Sequence, residues 1–204
     1  MPTLLTNFVT GLMVSFLGTL PLGVLNVTIM RVSLLQGLRS ALQFALACAL
    51  VELVYSYVSV QLTQSLIEYP AIKPFTESIA ALTLLGMGVY YIRKQSTPIT
   101  DQRTIPPFYL GMLLSVVNVV AFPFWILYTT LLEAKGYVGI MDNALVTFYV
   151  LGISLGTLAG LLPFIFGSRY LSPWVTTHQH RLDRMIGVLF VMLSLCQTFT
   201  LFRS

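Results

Sequence analysis

Residues 1–30 read MPTLLTNFVTGLMVSFLGTLPLGVLNVTIM, and this stretch contains no Asp, Glu, Lys or Arg. About 18 or more consecutive apolar residues span a bilayer as an α-helix, whereas strands of a membrane β-barrel are about ten residues long and alternate strictly. Further charge-free stretches lie at 104–132, 143–168 and 185–202. The sequence therefore predicts an all-α integral membrane protein.

The composition excludes an ordinary water-soluble domain. Over 204 residues the chain is 56% hydrophobic and 9% charged, its mean hydropathy is +0.85, and a soluble domain carries about 25% charged residues. The first apolar stretch is too long for a signal peptide and lacks a basic start, so we interpret it as a membrane helix. The net charge of +4 fits loops beside anionic lipid. No basic patch with interleaved aromatic residues is present, so no nucleic-acid partner is expected.

Charge gaps and loop residues divide the chain into six predicted spans. Their limits are 4–30, 40–62, 75–93, 107–132, 143–168 and 184–202. Eight of the eleven Lys and Arg residues lie in the first, third and fifth loops, and loops rich in these residues face the cytoplasm. We therefore expect a multi-pass protein of the cytoplasmic (inner) membrane with both termini outside the cytoplasm.

The long third loop separates the spans into two groups of three. We predict a first three-helix repeat at 1–96, a cytoplasmic linker loop at 97–106 and a second three-helix repeat at 107–204, all in one membrane domain. An odd number of spans in each half inserts the second half in the opposite direction, as in many secondary transporters. Segments 15–26 and 113–125 both contain polar residues and a proline. The prediction is thus two inverted repeats with broken helices 1 and 4.

The first predicted break lies around Pro21 and Gly23, with Asn26 following within one helical turn. Proline has no N–H to give to the Leu17 carbonyl, and glycine weakens the next turn. A plain kink remains the alternative interpretation of the proline and glycine. The Asn26 carboxamide needs hydrogen-bond partners in hydrocarbon, and these are backbone groups, another helix or a solute.

The second predicted break lies in span four, where Asn118 is followed by Pro123 and Trp125. The missing N–H of Pro123 is expected to leave the Val119 carbonyl free. This arrangement duplicates, in the second half of the chain, the interruption around the first proline. Corresponding broken helices are the usual sequence indication of a transport site.

Glu52 is the single charged residue between Arg39 and Glu68, near the middle of span two. An ionised carboxylate at that depth costs about 3 kcal/mol on insertion scales, so it must be protonated, paired or hydrated. One interpretation is a protonated acid that donates a hydrogen bond between helices. The other is a site for a proton, a cation or a substrate ammonium. Tyr55 and Ser56 follow on the same helical face.

Span five contains Gly152, Gly156 and Gly160 at helical spacing. We interpret this stripe as a helix-packing surface rather than a solute site. Together with the Tyr90-Tyr91 pair it permits a homodimer without requiring one.

Other chemistry is weakly indicated. His178 and His180 have the spacing of a metal pair, but two ligands without nearby Cys or acids make a poor site. Cys48 and Cys196 imply no disulfide framework. No nucleophile elbow, P-loop or HExxH motif is present. We therefore expect neither an enzyme nor a resident metal or cofactor.

Several of these segments resemble the LysE/RhtB family of amino-acid exporters. Residues 20–26 are similar to the Pro-Gly-Pro-Asn motif of that family's first helix, and residues 45–55 to its second helix with one acid. Residues 118–125 resemble its Asn-Pro motif with a Pro-Phe-Trp continuation. The segments 152–157 and 183–187 agree as well, so the resemblance covers essentially the whole chain.

The motifs also depart from the family pattern. Leu22 and Gly23 stand where the family commonly has Gly and Pro, and Val119 stands where it has Pro. We therefore expect breaks placed differently from the family's. The resemblance implies outward movement of small zwitterionic or basic amino acids against protons.

The expected function is a secondary transporter that exports amino acids or similar small polar solutes. Glu52 is expected to hold the ammonium or the coupling proton. The expected substrate-binding residues are Pro21, Gly23, Asn26, Asn118, Pro123 and Trp125. A divalent-cation exporter, a non-transporting membrane scaffold and a transmembrane thiol-electron carrier remain as alternatives.

Overall fold

The structure is a computed structural model that describes residues 2–68, 105–118 and 121–171, with separate positions between 78 and 93 and between 181 and 198. The helices with defined bounds are α1 (Leu4–Thr19), α2 (Val24–Gln36), α3 (Leu38–Glu68), α4 (Pro107–Val117), α5 (Ala121–Ala134) and α6 (Asn143–Phe166). The separate positions are helical too, and no strand occurs among the residues described.

The described helices are long and apolar enough for two to four membrane spans. Helices α3 and α6 each qualify alone. The pairs α1 with α2 and α4 with α5 qualify together, and they are bent by 79° and 64° respectively. The all-helical membrane class is confirmed, and the bends lie in the two spans predicted to be broken. Only separate positions of the predicted spans 75–93 and 184–202 are described, and these are helical.

Local sequence explains where several helices begin. Thr3 caps α1 through reciprocal hydrogen bonds with Thr6, which satisfy N–H groups that have no partner inside the helix. The Asp142 carboxylate accepts from the first N–H groups of α6. Between α2 and α3, Gly37 has φ +86°, a conformation that other residues rarely adopt. This glycine turns the chain directly from one helix into the next.

The break in the first span differs from the prediction in one respect. Helix α1 ends at Thr19, and the Leu20 N–H donates to the Leu17 carbonyl over 3.3 Å. The prediction that Pro21 leaves this carbonyl free is therefore wrong, because the last turn tightens before the proline is reached.

The break in span four lies within the predicted region 118–123, but Pro123 does not cause it. Helix α4 ends at Val117, the N–H of the following residue Asn118 donates to the Ser115 carbonyl, and α5 begins at Ala121. Pro123 lies in the first turn of α5, where its N–H would have no acceptor in the helix. Pro123 thus fits the start of a helix rather than interrupting one, and Val119 lies outside the described residues.

Glycines bring pairs of helices into backbone contact. A Cβ added to Gly152 or Gly156 would collide with carbonyl groups of α1, at Phe8 and Leu12. The predicted packing role of the span-five stripe is confirmed. A Cβ on Gly11 of α1 would in turn collide with the backbone of α6. Such close approach is how membrane helices associate without a hydrophobic driving force.

The second half repeats this contact with other helices. A Cβ on Gly111 of α4 would collide with the Phe44 carbonyl of α3. Helix α3 also packs against α5 and α6. Two core clusters lie beside these contacts. One is built around Phe44 between α2, α3, α4 and α6, and the other around Trp125 and Tyr149 between α3, α5 and α6.

Candidate functional site

At the first break, the side chain of a residue in the first turn of α2 donates hydrogen bonds to the unpaired backbone carbonyls. The Asn26 carboxamide is 3% exposed, and its Nδ2 donates to the Thr19 carbonyl over 2.8 Å and to the Pro21 carbonyl over 2.9 Å. Thr19 is the last residue of α1 and Pro21 lies between α1 and α2, so neither carbonyl has a donor inside a helix. Of the three kinds of partner expected for Asn26, the structure shows backbone groups.

The N-terminus of α2 faces the same break without a side-chain cap. Its N-cap residue is Gly23, which makes no capping hydrogen bond. A Cβ built on Gly23 meets nothing within 4 Å. The first N–H groups of a helix and its dipole attract negative charge. Pro21 is exposed beside this open space.

At the second break, the backbone carbonyls accept hydrogen bonds from side chains of a different helix, α3. The Tyr55 hydroxyl of α3 donates to the Val116 carbonyl. The Ser59 hydroxyl lies 2.8 Å from its own helix's Tyr55 carbonyl and 3.4 Å from the Phe122 carbonyl. The Tyr55 ring also meets Phe122 edge-on, with ring centroids 6.0 Å apart. Helix α3 therefore holds both sides of this break.

Glu52 lies on the same helix and is bonded to the far side of the second break. The indole N–H of Trp125 donates to its carboxylate. Trp125 is 1% exposed and is packed edge-on against Phe124 and Tyr149, with centroids 5.0 and 6.4 Å away. Glu52 itself is half-buried. The indole N–H therefore holds the carboxylate beside the second break.

The two breaks approach each other through their neighbours. Gly18, in the last turn of α1, lies against the Phe124 ring, and a Cβ there would be 2.9 Å from the ring edge. Phe124 in turn stacks on Tyr128 and meets Trp125. The predicted residues Glu52 and Trp125 are therefore in contact, next to the end of the first broken helix. Asn118 borders the second break and is half-buried.

A buried group of hydroxyls surrounds this region, and sequence reasoning missed most of it. Ser15 of α1 and Thr157 of α6 are 2.8 Å apart, and Ser154 donates to the Ala49 carbonyl over 2.8 Å. The Ser115 hydroxyl of α4 is buried and has no hydrogen-bond partner in the part of the chain described. The repeated Gly-x-x-x-Ser spacing at 11–15 and 111–115 was the available signal.

The remaining predicted sites contribute little to the geometry. His178 and His180 lie outside the described residues. Within the residues that are described, no group of three or more His, Cys, Asp and Glu side chains stands close enough to hold a metal ion. Cys48 is a free, buried thiol. The Ser56 hydroxyl donates to the Leu53 carbonyl of its own helix.

Comparison with known proteins gives one match. The family model described as LysE type translocator matches residues 16–196. The match covers nearly the whole chain and confirms the family resemblance of the motifs. No curated protein and no solved structure matched the chain.

Proposed function

The chain belongs to the LysE type translocator family of membrane exporters, and on this premise we propose that it exports amino acids in exchange for protons. Members of this family move small solutes such as amino acids and are transporters rather than enzymes. Our proposal adds three points to the family assignment: the substrate is an amino acid, it moves from the cytoplasm outward across the inner membrane, and the coupling ion is the proton.

The observation that carries the proposal is the position of Glu52. It is half-buried on α3 and bonded to Trp125, the residue that links it to the second broken span. An acid in a membrane span marks an ion or substrate pathway by default, because its burial is costly. A proton and a substrate ammonium compete for one carboxylate. Mutually exclusive binding of this kind supports exchange of one for the other.

The carboxylate end of the substrate is proposed to bind at the first break. The uncapped N-terminus of α2 at Gly23 supplies N–H groups and the positive end of a helix dipole. Asn26 keeps the break open by bonding its carbonyls. At the second break, Asn118 is proposed to border the substrate site, and the buried Pro123 and Trp125 are proposed to form part of its wall.

We propose that these breaks belong to two inverted repeats, at 1–96 and 107–204, joined by the linker 97–106. Reciprocal packing supports this: α1 packs on α6, and α4 packs on α3. Gly88 and Gly187, from the third and sixth predicted spans, likewise lie against each other. Six spans and termini outside the cytoplasm follow from the same proposal, and a homodimer is compatible with it.

Efflux from proteoliposomes tests this function. Vesicles loaded with one radiolabelled amino acid at a time, from a full panel, are placed under an imposed pH gradient. We expect efflux of at least one amino acid that depends on the gradient, and Glu52→Gln should abolish that dependence because it keeps the shape but not the charge. Glu68→Gln, at the exposed end of the same helix, is the matched control. Normal efflux and an unchanged pH profile in Glu52→Gln would refute the proposal.

A further inference from the structure

The Ser115 hydroxyl is buried, and the group beside it is the Cys48 thiol, a weak hydrogen-bonding partner. Ser115 is 4% exposed, and its oxygen has no hydrogen-bond partner among the described residues. Leaving a buried polar group unbonded is costly, and such groups in native proteins indicate a functional demand. The hydroxyl lies in the last turn of α4, directly before the second break.

The first half shows what a serine at this position does when it is paired. Gly11 on α1 lies against the α6 backbone at Tyr149, and Ser15 follows four residues later. The Ser15 hydroxyl is 2.8 Å from that of Thr157, eight residues beyond Tyr149. Both hydroxyls are therefore satisfied.

The second half has the same spacing with a different final residue. Gly111 on α4 lies against the α3 backbone at Phe44, and Ser115 follows four residues later. Eight residues beyond Phe44 is Glu52. The acid thus occupies the place that a threonine holds in the first half.

Contacts between α3 and α4 before and after Glu52 place Glu52 and Ser115 at the same height along the two helices. One turn before Glu52, the Cys48 thiol lies 3.8 Å from the Gly111 carbonyl and beside the Ser115 hydroxyl. Three residues after Glu52, Tyr55 bonds the Val116 carbonyl. Helices α3 and α4 run parallel between these contacts. Glu52 therefore lies on the stretch of α3 that runs alongside Ser115.

We propose that Ser115 is the second hydrogen-bond donor of Glu52 and supports the carboxylate when it is ionised. This rests on the proposed function, in which Glu52 alternates between a protonated and an ionised form. An ionised carboxylate accepts more hydrogen bonds than the single indole N–H supplies. Ser115 is then a positioning residue, unpaired in the form described here and engaged when Glu52 loses its proton.

Among the residues that the structure describes, few other ionisable groups lie near this pair. Cys48 and Tyr55 share α3 with Glu52, and Tyr149 of α6 lies behind Trp125. Helices α1, α4 and α6 contain no charged residue. The charged residues of the other packed helices are Arg31 of α2, six residues before Gly37, and Glu133 of α5, eight residues beyond Trp125.

The indole that bonds Glu52 provides a direct readout. The chain has two tryptophans, so Trp174→Phe leaves Trp125 as the single emitter. The emission of Trp125 should titrate with pH as Glu52 changes charge. In Ser115→Ala the midpoint should move about one pH unit higher, because a donor to the ionised form is lost. Ser115→Thr keeps the hydroxyl and should retain the original midpoint.

Ser15→Ala is the matched control, and thermal unfolding is the second measurement. Ser15→Ala breaks the bond with Thr157, so it should lower the melting temperature and leave the emission midpoint unchanged. Ser115→Ala removes an unbonded hydroxyl, so it should leave the melting temperature unchanged or raise it. An unchanged midpoint in Ser115→Ala, or an equal shift in Ser15→Ala, would overturn the assignment.

Glu52→Gln separates this inference from the proposed function. It should remove the emission titration, and adding Ser115→Ala to it should change nothing further, since coupled residues are not additive. A titration that persists in Glu52→Gln contradicts the proposed function itself. If Glu52→Gln removes the titration but Ser115→Ala leaves its midpoint unchanged, the role of Ser115 alone is contradicted. The pH profile of efflux in the chain with both tryptophans provides the same comparison.

Discussion

The two breaks are closed in different ways. At the first, Asn26 bonds the carbonyls of Thr19 and Pro21, which lie within seven residues of it in the chain. At the second, Tyr55 of α3 bonds Val116, which is 61 residues away. The first break is therefore a local structure that keeps its shape wherever its helices move. The second depends on where α3 lies, and α3 also contains Glu52.

This difference indicates how a change at one acid can reach a helix break. Any shift of α3 that follows a change of charge at Glu52 acts on the carbonyls of the second break. The first break has no such connection among its hydrogen bonds in the described residues. We therefore expect the first break to act as the rigid part of the site and the second as the responsive part.

The largest effect is expected at the two close helix contacts, α1 against α6 and α4 against α3, that position the broken helices. Gly11→Leu and Gly111→Leu each place a side chain where the backbone of the partner helix lies. We expect loss of folded protein in both, because neither backbone can move away without separating the helices. Size-exclusion chromatography in detergent measures the loss.

Gly86→Leu is the control for these substitutions, since a Cβ at Gly86 meets nothing within 4 Å. A monodisperse Gly111→Leu protein would mean that α4 does not need close contact with α3. The reciprocal packing of the two halves would then be wrong.

The next effect distinguishes the breaks themselves. Asn26→Leu removes both hydrogen bonds at the first break and leaves two carbonyls unpaired. The loss should be about 3 kcal/mol of the free energy of unfolding. Asn118→Leu, at the second break, should cost less, because the structure shows no comparable pair of bonds from the Asn118 side chain to described residues. Thermal unfolding of the two variants in the same detergent tests this order, and a reversed order would contradict the local closure of the first break.

The sequence predicted the class of fold and the positions of both interruptions, because hydrophobic stretches and prolines act locally. It attributed the second break to Pro123, whereas a proline in the first turn of a helix is harmless and α4 has already ended at Val117. It also singled out Glu52 from the cost of burying a charge, and the role of this acid in transport stays a prediction. The Trp125 bond, the Tyr55 bond and the unpaired Ser115 depend on which helices meet, and a single sequence contains no direct record of that.

A smaller effect tests the connection between α3 and the second break. Tyr55→Phe removes the hydroxyl that bonds the Val116 carbonyl and keeps the ring against Phe122. We expect gradient-driven efflux to fall about three- to tenfold, as one hydrogen bond is worth about 1 kcal/mol. Tyr57→Phe, on the exposed side of the same helix, is the control and should transport normally. Equal efflux in the two variants would show that the second break does not depend on α3.

The smallest effect is expected for Ser59→Ala. This variant distinguishes the contribution of the Ser59 hydroxyl to the second break from that of the Tyr55 hydroxyl. Ser59 already bonds the Tyr55 carbonyl of its own helix over 2.8 Å, and its distance to the Phe122 carbonyl is 3.4 Å. A contact at that distance is weak, and a hydroxyl that bonds its own helix gains little from a second acceptor. Ser59→Ala should therefore change efflux by less than about twofold. If it instead reduced efflux as much as Tyr55→Phe, the closure of the second break would be shared along α3, and the responsive segment would extend past Val116 into the first turn of α5.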